Sequence, residues 1–361
     1  MPRLSISEAT DALKRGTMII LVDDEDRENE GDLYMAAEMT EPDDINFMAT
    51  QGRGLICLTL ARPIMSALEI PPMVSRNRSR FGTNFHASIE ARDGITTGIS
   101  TADRAKTIRT AVADGCLPED IVSPGHIFPL LAQDGGVLVR SGQTEGSVDL
   151  CRIAGLKPAG VICEIMNADG TMARMDELEV FSAKHEIGIL TIADIISHRL
   201  QSEQLVEHSH DFDAMPPPLT APCKATQYRS RVDDTIYTAL SFGERSSDDH
   251  ASTLVRMHRA RTRDDLFASE GGTLHRSLKK LEAAYLSEKR HGVLVYISDA
   301  TDCLSKQLRA LPNEQVLREF GLGAQVLREL GLTRIELITT KQQKYAGLSG
   351  YGLEICGYTA P

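Results

Sequence analysis

The chain has 361 residues, enough for two domains of ordinary size, each burying its own core. A formal net charge of -12 excludes a general nucleic-acid or membrane-surface binder, though not a local basic pocket. No apolar run approaches the roughly 20 residues of a membrane span, and no signal-peptide pattern opens the chain. Seven scattered cysteines without a C-x-x-C pair point to free thiols in a reduced, cytoplasmic protein. Cys57, Cys151 and Cys163 sit in apolar or motif surroundings and read as small core residues.

Ser5 to Lys14 predicts a first helix, capped by Ser5 or Ser7 and ended by Gly16. The apolar run Met18 to Val22 predicts a buried strand emptying into Asp23–Asp32, DDEDRENEGD. So many carboxylates repel one another, and Arg27 alone cannot answer them. Either the loop is simply solvated, or a divalent cation is its counter-charge; hard oxygen ligands favour Mg²⁺ or Mn²⁺. Pro42 to Gln51 predicts a helix, and Leu55 to Leu60 a strand. Arg76 to Gly82 is a basic polar loop, read either as a cover for an anion or as plain surface.

Phe85 to Ile89 predicts a short strand. Gly94 to Arg104, rich in glycine and hydroxyls ahead of a helix to about Ala113, forms a candidate phosphate- or hydroxyl-binding turn. Pro124 to Pro129 brackets His126 in a rigid apolar segment, where a histidine is commonly structural. A strand is expected over Val137 to Val139. Its end, Arg140 to Thr144, offers a guanidinium, hydroxyls and a glycine before a helix over Glu145 to Ala154, which suits a phosphate. Glu164 interrupts the apolar strand Gly160 to Ile165; such a carboxylate must be paired, protonated or on a ligand, so it is a candidate acid/base group. A helix over Asp176 to Glu186 and a strand over Ile187 to Ile192 follow.

From His198 to Arg229 the composition turns polar and Pro-bearing, and the stretch predicts a solvated connector. His208 and His210 have no cysteine or third histidine nearby to make a metal site. Beyond it, strands are expected over Thr235 to Ser241, Ser252 to His258, Gly292 to Ile297 and Arg334 to Thr339. A charged helix is expected from about Leu274 to Glu288. The echo of Gln315–Phe320 in Gln325–Leu330 reads as successive helical turns.

In their order, DDEDRENEGD, Thr96–Arg104, Pro124–Pro129, Arg140–Leu150 and CEIMNADGTMAR at Cys163–Arg174 resemble 3,4-dihydroxy-2-butanone 4-phosphate synthase. This riboflavin-pathway enzyme acts on D-ribulose 5-phosphate. The resemblance covers about the first 200 residues. It implies an α+β domain of mixed sheets and helices, a lyase reaction releasing formate, two divalent ions and a homodimer with shared active sites. By position it implies Glu28 as the carboxylate touching both metals, Arg27 and Asp32 beside the sugar, and Arg140, Ser141, Gly142, Gln143 and Thr144 at the phosphate. His126 and Glu164 match the two essential side chains, His126 reaching into the partner's site, and Asp32 joins them as a candidate proton carrier. The family pattern after Gly142 is His-Thr-Glu, its histidine binding the second metal; here Gln143 stands there, a neutral oxygen ligand. A working enzyme with altered metal preference is expected, against a silenced regulatory or interaction protein of the same pathway.

From about Arg231 the chain resembles GTP cyclohydrolase II in outline, through Val255–His258, Asp265–Phe267 and Tyr345–Glu354. The three zinc cysteines are missing: Arg261 holds the first position, and Ala268 to Gly272 stand where a Cys-x-Cys pair belongs. Ser298 to Asp302 replace the basic motif that would grip a triphosphate. Without thiolates no zinc is expected to generate hydroxide, so this α/β domain is expected to lack cyclohydrolase activity. The implied layout is a synthase domain over 1–200, a linker over 201–229 and a cyclohydrolase-II-like domain over 230–361.

Overall fold

Ser5 opens the first helix, α1 (Ile6–Lys14), with a capping box: the Glu8 N–H donates to its hydroxyl, and the Glu8 carboxylate accepts the Ser5 N–H. The structure is a computed structural model that describes every residue except 1–2, 25–26, 80, 245–250, 261–264, 266–270, 300–312 and 340–352. It divides into two compact units, residues 1–198 and 199–361.

The first unit is built on a mixed seven-stranded sheet. Its strands are β1 (Ile19–Val22), β2 (Gly31–Ala36), β3 (Cys57–Leu60), β4 (Ile89–Ala91), β5 (Ile121–Leu131), β6 (Ala159–Glu164) and β7 (Ile189–Thr191), in the order β4-β5-β3-β6-β2-β1-β7. Strands β1, β2 and β3 are buried at every position, which is why β1 reads as a continuous apolar run instead of an alternating one. Leu33, Met35, Val161 and Cys163 share one core with Ile45 and Met48 at α2 (Pro42–Phe47) and its continuation, and with Ile108 of α4 (Thr101–Ala111). The intervening residues, Tyr34 and Gly160 among them, meet α5 (Gln143–Ala154) on the other face.

Contact between α5 and the sheet is close and partly polar. The Tyr34 hydroxyl donates to the Ser147 carbonyl at 2.7 Å, and the Thr59 and Ser147 hydroxyls lie 2.7 Å apart. Helix α5 can come this near because Gly160 has no side chain: a Cβ there would stand 2.7 Å from the Tyr34 ring and 3.1 Å from Ser147 Cβ. The N-terminus of α5 is thereby set over the ends of β2 and β6.

In the second unit the strands are β8 (Val206–Ala214), β9 (Cys223–Ser230), β10 (Thr235–Phe242), β11 (Thr253–Arg259), β12 (Gly292–Asp299), β13 (Arg334–Ile338) and β14 (Glu354–Thr359). They form one sheet in the order β14-β13-β11-β12-β10-β9-β8, parallel from β14 to β12 and antiparallel beyond. Leu278, Leu281 and Ala284 of α8 (Thr273–Glu288) pack on Phe242, Leu254 and Leu294. The tandem echo forms successive turns of α9 (Asn313–Glu329).

The structure corrects two expectations. The stretch 201–229, expected as a linker, holds the end of a helix (Ile192–Ser202) and strands β8 and β9 of the second sheet. Strand β8 lies at the sheet edge with residues 207–213 exposed, so it lacks the apolar alternation that marks a half-buried strand. Val137 to Val139 do not make a strand; Gly136, at φ +61°, starts a 3₁₀ turn over Gly136–Leu138, and the Val137 N–H donates to Asp149. The segment around His126 is part of the long strand β5.

Gly160→Val should overpack the α5 contact and cost about 1–3 kcal/mol. Urea unfolding is expected to show a lower midpoint with an unchanged slope.

Candidate active site

The acidic loop between β1 and β2 is folded around one of its own carboxylates. Asp23, buried, accepts the Glu30 N–H at 2.8 Å and the Glu28 N–H at 3.3 Å, and takes an N–H of Arg27 at 2.5 Å. Arg174, the last residue of CEIMNADGTMAR, closes the loop from outside by donating to the Glu28 carbonyl at 2.6 Å and to the Asn29 carbonyl. The motif spacing did not foretell this staple, because the two stretches are over 140 residues apart.

Beyond the loop, Asp32 on β2 stands directly opposite Glu164 on β6. Directly paired residues of neighbouring strands project to the same face, so two acids meet there. Burial pushes the Asp32 carboxyl well above the ordinary range, with Glu164, Asp23, Glu28 and Glu30 adding to the shift. Glu30 is also raised, by burial and then by Glu28, with Arg174 opposing. Glu164 is pinned by the turn before β3, where the Leu55 N–H donates to Oε2 at 2.8 Å. Gly54 makes room for it: a Cβ would lie 2.5 Å from Glu164 Oε2 and 2.6 Å from its backbone nitrogen.

Arg27, Glu28, Glu30, Asp32, Gln143 and Glu164 line one cleft of about 210 Å³ with Arg140 and Thr144. Cys57, expected in the core, is indeed buried yet forms part of the wall, together with Phe81, Thr83, Phe85, Leu130 and Ile162. At one end, Gly142 is the N-cap of α5 and supplies no side-chain cap. A Cβ on it would meet Arg140 Nη1 at 2.5 Å and Arg27 Nη2 at 2.8 Å, so two guanidiniums flank a bare helix N-terminus. That is an anion-binding arrangement. Arg140 also braces the site: it donates to the Phe81 carbonyl at 3.0 Å, to the Thr83 hydroxyl at 2.9 Å and to Glu145 at 2.5 Å. Ser141 is half-buried beside Gly142. Arg76 and Arg78 of the basic loop are exposed; Arg80, like Glu25 and Asp26, lies outside the described residues.

His126 is not among the residues lining this cleft. In the β4–β5 ladder Ile89 pairs with Ile127 and Glu90 with Val122, so residues 123–126 bulge out of register. The bulge sets His126 Nδ1 on the Glu90 carboxylate, with 44% of the imidazole exposed. Nothing in the sequence marked Glu90, since its partnership depends on that bulge.

The donor set suits a hard divalent ion: Glu28, Glu30, Asp32, Glu164 and the Gln143 amide oxygen are all oxygen ligands whose mutual repulsion lacks a full answer. Among the described residues no group of three or more His, Cys, Asp or Glu side chains is arranged to hold an ion. Mg²⁺ does not require such a group, since it takes one or two carboxylates and completes its shell with water and substrate oxygens. The candidate zinc positions of the second unit, Arg261 and Ala268 to Glu270, lie outside the described residues, as do residues 345–352 of the glycine-rich motif. The two other quoted pieces meet: His258 Nε2 lies 2.9 Å from Asp265, to which the Tyr296 hydroxyl donates at 3.1 Å.

Asp32→Asn should raise the melting temperature of the metal-free protein at pH 7. A carboxyl with a raised folded-state pKa costs stability above its unfolded value of about 4, and that cost vanishes as pH falls to this value. The gain measured by thermal denaturation is therefore expected to shrink to nothing near pH 4.

A family model for 3,4-dihydroxy-2-butanone 4-phosphate synthase matches residues 7–198, and one for GTP cyclohydrolase II matches residues 213–360. The 3,4-dihydroxy-2-butanone 4-phosphate synthase of Photobacterium phosphoreum is 42% identical over 97% of this chain and 97% of its own. Riboflavin biosynthesis protein RibBA of Aquifex aeolicus is 43% identical over 97% of this chain and 90% of its own. Among solved structures, RibBX, a two-domain 3,4-dihydroxy-2-butanone 4-phosphate synthase from A. baumannii, aligns with a TM-score of 0.84 at 41% identity, covering 99% of this chain and all of that one. A 3,4-dihydroxy-2-butanone 4-phosphate synthase in complex with two magnesium ions aligns with a TM-score of 0.54 at 37% identity, over 55% of this chain and 98% of that one. The acidic cleft therefore sits in a known setting, and the chain belongs to the 3,4-dihydroxy-2-butanone 4-phosphate synthase family, in a two-domain form with a GTP cyclohydrolase II-type second region.

Proposed function

We propose that the chain is a lyase of riboflavin biosynthesis that converts D-ribulose 5-phosphate to L-3,4-dihydroxy-2-butanone 4-phosphate and formate. The observation carrying this reading is the cleft itself, with acids opposed at one end and a bare helix N-terminus between two guanidiniums at the other. A pentulose phosphate spans such a site. The phosphate lies at Gly142 to Thr144 between Arg27 and Arg140, which orients the carbons over Asp32 and Glu164. Ser141 and the helix N–H groups complete the phosphate cradle.

Removal of the proton from carbon 3 yields an enediol, and water then leaves carbon 1. The skeleton rearranges, and carbon 4 departs as formate after water is added back, so the atoms balance. Asp32, Glu164 and His126 carry the protons; burial raises the Asp32 carboxyl and so favours its proton-bearing form. Glu28 and the Gln143 oxygen would hold Mg²⁺ or Mn²⁺, which when bound supplies Lewis-acid stabilisation of enediolate charge. A relative solved with two magnesium ions supports this choice.

His126 completes the site from a second copy of the chain. Its exposure, its absence from the cleft lining and the exposed Ile99 next to Gly98, whose Cβ would lie 2.8 Å from His126 Nδ1, support a homodimer with shared sites. The second unit is non-catalytic and binds no zinc. Cys223 and Cys356 are its two described cysteines; Cys223 is buried in β9, Cys356 is exposed on β14, and Arg261 and Ala268 to Gly272 provide no thiolate. The two-domain relative that bears the synthase name supports this reading. Among the described residues the cysteines are free and no helix is long and apolar enough to cross a membrane, which accords with cytoplasmic localisation.

Incubation with D-ribulose 5-phosphate and Mg²⁺ or Mn²⁺ should release formate, and Glu28→Ala should abolish it. No formate with either ion from folded protein would instead favour the silenced, regulatory reading that Gln143 invites. Incubation with GTP should release none, and elemental analysis should find no stoichiometric zinc. In a dimer with sites shared across two-fold symmetry, mixed and refolded His126→Ala and Glu164→Ala chains should regain roughly a quarter of wild-type turnover. No recovery in such hybrids would place His126 and Glu164 of one site on the same chain.

A further inference from the structure

One terminal nitrogen of Arg27 occupies the point between the two side chains assigned to the metal. Nη1 donates to Glu28 Oε2 at 2.8 Å and to Gln143 Oε1 at 3.0 Å, while also holding Asp23 at 2.5 Å. A guanidinium nitrogen has two hydrogens, so three acceptors share them. The side chain is 10% exposed, and burial opposes its charge, but Glu28 and Asp23 outweigh burial and hold the guanidinium protonated. Gln143 is fixed in this orientation from its other end, its Nε2 donating to the Glu30 carbonyl at 3.3 Å. The amide oxygen thus faces Arg27.

We propose that Arg27 is the resident cation of this site, bridging Glu28 and Gln143 until a divalent ion displaces it. The inference rests on the metal reading above. An ion coordinated at about 2.1 Å by both oxygens leaves no room for an N–H donor between them. Entry of the ion and departure of Nη1 are therefore one event. Released from Glu28 and Gln143, Arg27 keeps Asp23 and the face of Phe81, whose ring centre is 5.6 Å away, and its Nη2 already lies against Gly142. Metal binding in this way turns Arg27 toward the anion-binding end of the cleft. Gln143 matters because a neutral amide is a weak ligand for a metal and a good acceptor for a guanidinium, which tilts the contest toward Arg27.

The test is Mn²⁺ binding to the full metal-free chain without substrate, read by electron paramagnetic resonance of the free ion. Two substitutions separate position from charge. Arg27→Lys keeps the charge but loses the fork that spans Asp23, Glu28 and Gln143. Arg27→Gln removes both. Displacement predicts that Arg27→Lys binds Mn²⁺ roughly tenfold more tightly than wild type. It also predicts that Arg27→Lys melts at a lower temperature in chelator, with a larger rise on adding Mn²⁺. Equal Mn²⁺ affinity in wild type and Arg27→Lys, with tightening only in Arg27→Gln, would reduce Arg27 to a background charge and overturn the proposal while leaving the metal site intact. Absence of Mn²⁺ binding from all three proteins would overturn both the proposal and the metal reading.

Discussion

Two carboxylates set opposite each other on adjacent strands repel, and a fold keeps them there only where other contacts hold the register. Asp32 and Glu164 are such a pair. Their positions follow from strands β2 and β6, whose apolar partners Leu33, Tyr34, Met35, Val161 and Cys163 are buried. A slip of one residue would turn those side chains to the wrong face, so the core fixes the acids against their repulsion. Around the pair, Arg174, Asp23 and the Gly54 turn orient the remaining charged groups, and the cost of burying them is offset by hydrogen bonds.

The cleft separates its tasks along its length. Acids gather where β2 begins and β6 ends, whereas the N-terminus of α5, Arg140 and Arg27 make the other end positive. The close approach of α5 through Gly160 sets the distance between these ends, so a packing contact remote from the chemistry controls the span offered to a substrate. Arg27 belongs to both ends at once, being hydrogen-bonded to the acids and adjacent to Gly142. A residue so placed couples the cation and anion requirements of one ligand.

The second unit keeps buried polar pins that serve its architecture. Glu282 of α8 accepts the Thr220 and Ala221 N–H groups, tying the turn after β8 to the helix. Gln325 of α9 donates to the Leu200 and Glu203 carbonyls and accepts the Leu205 N–H. His258, Asp265 and Tyr296 form a third such set. These contacts tie the sheet of the second unit to its helices and loops.

Much of this was legible in the chain itself. The capping box at Ser5 and Glu8, the apolar strands, the acidic loop and the Gly142 turn are local patterns, set by residues within a few positions of one another. Strand β8 escaped because an exposed edge has no buried face to impose alternation, and the expected strand at Val137 gave way to the positive φ of Gly136 and the pull of Asp149. Glu90 was invisible because a bulge brings it to His126, and Arg174 because its partners lie on a distant loop. Which chemical groups this protein carries, and in what order, can be read along the chain, since hydropathy, turn chemistry and charge act locally. Which of them meet emerges in the folded chain, where Arg27 stands between Glu28 and Gln143 and His126 lies outside its own cleft, because register and packing join residues that the chain keeps far apart.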